Sequence, residues 1–223
     1  MATLRLLLIA LLPVVGNAQQ NSSFHAPWVS CFDSNGRFVG PKNVRTDLVT
    51  SSDGKLRAYA EISAAVDAHS DCGNTVQLFI SANNRPYRLA FTQAPSAING
   101  TADSLGPVAW SPDGRWLAVE FGIWVYGSDS ASLALLLYDS HTQATKTPEV
   151  IKQIEHRLGK RCFLGLRSVV GFDSRSRVML RVADWIDEEG RSSSCIPGPQ
   201  SGTANWLYDP ATGRASPGAA KRN

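Results

Sequence analysis

Three segments of the chain share one pattern: a polar residue, a tight turn, a basic residue and a strand of alternating apolar residues. They are TSSDGKLRAYAEI from Thr50, WSPDGRWLAVEF from Trp110 and FDSRSRVMLRVADW from Phe172. Self-similarity at a roughly constant spacing is the sequence signature of repeat architectures, in which neighbouring units bury each other's apolar faces. The chain is therefore predicted to be built from stacked copies of one β unit.

The middle copy shows why this pattern produces a hairpin. In Ser111-Pro112-Asp113-Gly114, proline presets φ at the second position of a turn, and glycine readily adopts the left-handed conformation that follows it. The strand after the turn, Trp116 to Trp124, is apolar on both faces. A strand that is apolar on both sides is covered on both sides. Short strands and turn residues dominate elsewhere too, which predicts an all-β fold.

A second element recurs in LLLYDSHTQATKTP from Leu135 and NWLYDPATGRASP from Asn205. The stretch WSPDGRWLAV resembles the TolB-type β-propeller repeat, whose blades typically close with an LYDxxTG segment. The resemblance implies about three blades over residues 45–215. The third blade lacks the Pro and Gly of its turn, so the sequence does not determine its hairpin geometry.

Three blades are fewer than the four or more of typical closed propellers. The fold expected is an incomplete or small β-propeller, an open three-unit stack or a rolled β-sandwich; assembly with another copy is a further alternative. The segment CFDSNGRFV, from Cys31 to Val39, is either a strand of a fourth incomplete unit or the closing strand of the last blade. One short helix is predicted near 148–158, with Thr147 as N-cap, Pro148 in the first turn and Gly159 at its end.

The first residues predict export. Arg5 precedes an apolar run, and small residues up to Ala18 suit signal-peptide cleavage there. The run is too short for a membrane span, which needs about 20 residues, so no stable membrane insertion is expected after cleavage. Residues 19–214 then form a single β domain and 215–223 a flexible tail. An exported protein resides in the periplasm or outside the cell.

Four cysteines, an even number, suggest disulfides in an exported chain. Three connectivities are possible, and the pairing of sequence neighbours is favoured because each bond then closes a loop inside one half. The cysteines are Cys31, Cys72, Cys162 and Cys195.

Recognised catalytic and cofactor motifs are missing from the sequence, so no catalytic residue, cofactor or metal is predicted. Ser52 and Lys55 match S-x-x-K only formally, because they lie on a repeat turn. The carboxylates of Asp184–Arg191 lack calcium-loop spacing and are expected to be a solvated loop. The basic residues are scattered, which argues against a nucleic-acid partner.

The remaining functional signal is a group of aromatic and acidic residues near strand ends, where propeller loops form binding surfaces. The candidate binding residues are Trp124, Tyr126, Asp184 and Trp185. The first hypothesis is a non-catalytic exported module that binds a protein or cell-envelope partner. The second is a hydrolase whose site is assembled from dispersed carboxylates such as Asp67, Asp71, Asp184 and Glu188. The third is a structural subunit that supplies blades to a larger assembly or oligomer.

Overall fold

A computed structural model describes residues 25–33, 35–66, 72–95, 101–125, 131–159, 162–184, 195–196 and 203–218. These residues form two open antiparallel sheets and one short helix, with no closed barrel among them. The all-β prediction is therefore confirmed. No helix in the described ranges is both long and apolar enough to cross a membrane.

The strands fall into three consecutive antiparallel meanders, which we call units 1, 2 and 3. Unit 1 contains β1 (Lys42–Arg45), β2 (Val49–Thr50), β3 (Leu56–Val66), β4 (Cys72–Ala82) and β5 (Arg88–Gln93). Unit 2 contains β6 (Thr101–Trp110), β7 (Trp116–Val125), β8 (Ala131–Asp139) and β9 (Ala144–Lys146). Unit 3 contains β10 (Leu164–Phe172), β11 (Val178–Asp184), β12 (Thr203–Asp209) and β13 (Arg214–Pro217). Units 2 and 3 share a sheet through one residue pair, Leu166 with Leu133.

Each repeat turn ends in a left-handed residue, as the turn chemistry predicts. Gly54 has φ of 72° and Gly114 has φ of 70°. In both turns the glycine N–H donates to the carbonyl of the serine that opens the turn. The third turn keeps this geometry although it has lost its glycine, because Ser176 adopts φ of 59°. A left-handed serine is strained, so contacts elsewhere in the turn must hold it in place.

Asp173 supplies those contacts. Its Oδ1 accepts hydrogen bonds from the main-chain N–H groups of Arg175 and Arg177, at 3.0 and 2.9 Å. Its Oδ2 pairs with the Arg177 guanidinium at 2.7 Å. Burial, the largest single influence, raises the pKa of Asp173, but the hydrogen bonds from Arg177 and Arg175 together lower it. One aspartate thus replaces the serine–aspartate pair of the other turns.

Unit 2 lies between the other two, which explains why β7 is apolar on both faces. Leu117 and Val119 pack with β3 and β4 of unit 1 in one core cluster. Trp116 and Ala118, on the opposite face, pack with β11 and β12 of unit 3 in a second cluster. Unit 2 therefore contributes to both core clusters, one shared with unit 1 and one shared with unit 3.

The turns that open the units also touch, so the first strands of the units lie side by side. Ser52 Oγ donates to the Pro112 carbonyl at 3.4 Å, and Asp113 accepts a hydrogen bond from Ser176. Trp110 Nε1 donates to the Val49 carbonyl at 3.2 Å, which joins β6 to β2. We call this end of the stack the turn end, and the opposite end, where β3, β7 and β11 finish, the loop end.

The helix, α1, runs from Val150 to Leu158, slightly later than predicted. It begins after Glu149 rather than Thr147, and it ends at Gly159 in the left-handed conformation, as expected. Val150 and Ile154 are buried in the core of units 2 and 3, so the helix covers that core.

The predicted disulfide pairing and the predicted closing strand have different outcomes. Cys31 bonds to Cys72 and Cys162 bonds to Cys195, the pairing of sequence neighbours. The segment Cys31–Val39 does not complete the last unit, because β13 already fills that place. It closes on itself instead through a bridge between Phe32 and Phe38. The expectation of a closing strand is therefore wrong.

Candidate functional site

The segment His25–Cys31, which we call the strap, runs over unit 2 towards the loop end and then reaches unit 1. None of it belongs to a strand of the two sheets. It is nevertheless held by side chains from several strands, each bonded to its main chain. These contacts decide which residues are presented at the loop end.

Glu120, in the middle of β7, is fully buried and holds the start of the strap. Its Oε2 accepts hydrogen bonds from the main-chain N–H groups of His25 at 2.5 Å and Ala26 at 3.4 Å. Its Oε1 accepts one from Val169 N–H of β10 at 2.8 Å. Val169 is in register with Leu180 of β11, whereas β10 pairs with β8 of unit 2 at Leu166 and Leu133, so the Glu120 bond adds a link between unit 2 and β10 beyond that pair. Glu120 thus joins the strap, unit 2 and unit 3.

Burial raises the pKa of Glu120, against the hydrogen bonds from Val169 and His25, which lower it. A buried carboxylate whose oxygens accept several main-chain hydrogen bonds is a structural group. Both of its oxygens are engaged by main-chain N–H groups of the strap and of β10, which fits a structural role.

Gly106 lets the strap approach the sheet. It pairs with Glu120 across the strands, and a Cβ atom at this position would lie 2.1 Å from the His25 carbonyl oxygen. The next contacts follow in order along the strap. Ser104 Oγ donates to the Pro27 carbonyl, and Asn74 Nδ2 donates to the Val29 carbonyl at 2.9 Å. The Cys31–Cys72 bond then anchors the strap to unit 1.

This path places Trp28 at the loop end. Its ring meets the Trp124 ring edge-on, with the centroids 5.2 Å apart. Trp124, a predicted binding residue, is buried, whereas Trp28 is 41% exposed. Trp124 therefore serves as the support for an exposed tryptophan that the sequence did not single out. The predicted candidates Tyr126 and Trp185 lie outside the described residues.

Asp184, the remaining candidate, is also at the loop end but is buried. Its two oxygens accept hydrogen bonds from the N–H groups of Cys195 and Ile196, at 3.3 and 2.9 Å. Since Cys195 is bonded to Cys162, the carboxylate and the disulfide hold the same segment against unit 3. The geometry gives Asp184 a positioning role.

The described residues contain no group of three or more His, Cys, Asp or Glu arranged to hold a metal. Ser52 and Lys55 do not form a catalytic pair, because Ser52 Oγ bonds the Pro112 carbonyl and Lys55 pairs with Asp53 at 3.4 Å. Asp67, Asp71 and Glu188 of the hydrolase hypothesis lie outside the described residues, so that hypothesis stays a prediction.

Sequence reasoning missed the residues that hold the strap: Asn74, Ser104, Gly106 and Glu120. One signal was present, since Glu120 interrupts an otherwise apolar run in a strand covered on both faces. A carboxylate at such a position must find hydrogen-bond donors in the interior. Its donors, however, lie far away in the sequence and could not be identified from it.

No protein-family model matches this chain, and no curated protein is significantly similar to it.

Proposed function

We propose that this chain is an exported, non-catalytic module of TolB-like propeller repeats that binds a protein or a cell-envelope component through its loop end. The observation that carries the proposal is the Trp28–Trp124 pair, in which an exposed tryptophan rests on a buried one. Tryptophans of this kind are enriched among the residues that dominate binding energy at protein interfaces. A ring that is already fixed also loses little conformational entropy on binding.

The two disulfides support the same proposal. One anchors the strap that carries Trp28, and the other anchors the segment held by Asp184. Disulfides persist in oxidising compartments, so they are compatible with export. Both bonds also lie at the loop end, where they hold nearby segments in place for a partner.

Partner capture with matched variants tests the proposal. The oxidised full-length protein, its Trp28→Ala variant and its Leu89→Ala variant are each immobilised and exposed to the native envelope fraction and secretome. Leu89 is the control, because it is 46% exposed but lies on the outer face of unit 1. We expect one saturable partner that binds wild type and Leu89→Ala equally and Trp28→Ala about tenfold or more weakly.

Two results would count against the proposal. Equal retention of the partner by wild type and Trp28→Ala would place the binding surface elsewhere. Absence of any saturable partner in both fractions would contradict a binding role altogether.

A role as a subunit of a larger assembly is a second candidate, supported by the outer face of unit 1. Tyr59 stacks on Phe79 at 5.1 Å and meets Tyr87 edge-on at 4.8 Å, and the Arg45 guanidinium lies 3.4 Å from the Tyr59 ring centroid. Tyr87 is 36% exposed beside this stack. Light scattering during size-exclusion chromatography tests this candidate. It predicts oligomers that Tyr87→Ala weakens, and a monomer at every concentration would contradict it.

A further inference from the structure

A cavity of about 320 Å³ lies between units 1 and 2, on the side of β7 that faces unit 1. Its apolar walls include the rings of Phe91 and Phe121, which meet edge-on with centroids 6.5 Å apart. Ile123 and Ala134 extend these walls, and the polar lining residues are Gln93, Ser132 and Thr147. Ligand cavities typically measure about 300–1,000 Å³, so this one suits a small molecule.

A buried carboxylate lies beside the cavity. Asp103 is 0% exposed and is the cross-strand partner of Ile123, one of the lining residues. Its Oδ2 accepts a hydrogen bond from Gln93 Nε2 at 3.1 Å. Gln93 therefore separates the Asp103 carboxylate from the cavity.

The same place contains two buried acceptor atoms without a donor. Within the described part of the chain, neither Asp103 Oδ1 nor Asn74 Oδ1 has a hydrogen-bond partner. The two residues are neighbours, because Asn74 Nδ2 donates to the Asp103 main-chain carbonyl at 2.9 Å. Native proteins leave few such atoms unsatisfied.

Burial raises the pKa of the Asp103 carboxyl, against the hydrogen bond from Gln93, which lowers it, so a cationic donor beside it would stabilise its charged form. No ion pair to Asp103 exists among the described residues. A water molecule would donate hydrogen bonds but would bring no positive charge to the carboxylate. An ammonium group brings three N–H donors and a charge, and it is attracted to the faces of aromatic rings such as Phe91 and Phe121.

We propose that this cavity binds a small apolar primary amine, with its ammonium group on Asp103 and its apolar body between Phe91 and Phe121. To reach Oδ2 and the unpaired Oδ1, the ammonium group displaces the Gln93 amide. The ligand has roughly ten non-hydrogen atoms, in keeping with a cavity near the lower limit of known ligand sites. This site is separate from the loop-end surface of the proposed function, and neither depends on the other.

Calorimetry on the full-length oxidised protein tests the proposal with two matched probes, 2-phenylethylamine and 2-phenylethanol. They share the ring and differ in the terminal group. We expect the amine to bind at least tenfold more tightly than the alcohol. Equal binding of the two probes, or binding of neither, would overturn the proposal.

Two variants link the effect to the named residues. Asp103→Asn should abolish the preference for the amine, and circular dichroism with thermal melting verifies that the variant is folded. Gln93→Ala should strengthen amine binding, because it removes the competing donor and opens the path to Asp103. An unchanged amine preference in folded Asp103→Asn, or weaker amine binding by Gln93→Ala, would each contradict the proposed site. If Asp103→Asn does not fold, the comparison of the two probes and the Gln93→Ala variant still test the proposed site.

Discussion

The Oε1 atom of Glu120 lies 2.8 Å from the main-chain nitrogen of Val169, so a carboxylate of unit 2 accepts a hydrogen bond from a strand of unit 3. The other oxygen of the same carboxylate accepts the His25 N–H at 2.5 Å. Glu120 is thus the residue through which the strap, unit 2 and unit 3 are joined.

Removal of this carboxylate should destabilise the protein strongly. Glu120→Ala leaves the His25 and Val169 N–H groups buried without an acceptor, and we expect the free energy of unfolding to fall by about 2–4 kcal/mol. Glu120→Gln keeps one acceptor oxygen and should lose less. Urea unfolding measures both, with Glu61→Gln on the outer face of unit 1 as control. A loss below about 0.5 kcal/mol for Glu120→Ala, the range of surface substitutions, would contradict this role.

Gly106→Ala should displace the strap. The added Cβ would lie 2.1 Å from the His25 carbonyl oxygen, a main-chain atom that cannot move away alone. We expect faster proteolysis within His25–Cys31 and altered tryptophan fluorescence, because Trp28 leaves Trp124. Gly122→Ala is the matched control, since its Cβ would meet the flexible end of Leu133 at 3.3 Å and make only ordinary van der Waals contacts with Trp124 and with Ala26 of the strap, at 3.5 and 3.6 Å. Equal proteolysis of the two variants would contradict the close approach at Gly106.

Substitutions at the left-handed turn positions should act in opposite directions. Gly114→Val forces a β-branched residue into φ of 70° and should lower stability by about 2 kcal/mol, because such residues strongly disfavour the left-handed region. Ser176→Gly relieves the same strain but removes the hydroxyl that bonds Asp113, so it should stabilise only slightly, by less than about 1 kcal/mol. Thermal melting tests the pair. An unchanged melting temperature for Gly114→Val would count against the turn assignment.

The third turn should show a specific pH dependence. Because the pKa of Asp173 is lowered below its ordinary 3.8 in the folded protein, its stabilisation is fully present above that pH and is lost as pH falls through the folded pKa. Asp173→Asn should therefore be less stable than wild type by about 1 kcal/mol at pH 7. The difference should shrink in acid. Unfolding curves between pH 2 and pH 7 test this, and a difference that grows in acid would contradict the sign.

The turn geometry and the burial of both faces of β7 could be predicted because they depend on local chemistry. A left-handed glycine at position 114 follows from the residues of its own turn, and the two apolar faces of β7 follow from alternation along one strand. The hairpin geometry of the third turn could not be predicted from its residues. There Asp173 replaces two residues of the other copies, and only its contacts with Arg175 and Arg177 show that the turn is preserved.

The organisation of the loop end could not be predicted, because its contacts join residues that are distant in the chain. Glu120 bonds His25 across a sequence separation of 95 residues, and Asn74 bonds Val29 across 45. The sequence predicted Trp124 as a binding residue, but the exposed ring belongs to Trp28. Trp28 was not predicted, because its segment has no strand periodicity.

Export and disulfide bracing, on which the proposed role depends, are tested most directly by one intact-mass measurement. Protein purified from its native source is denatured and alkylated without reductant. We predict the mass of residues 19–223 with no alkylated cysteine, the result expected if cleavage follows Ala18 and all four thiols are paired. A chain that still carries residues 1–18 and four alkyl groups would contradict the prediction.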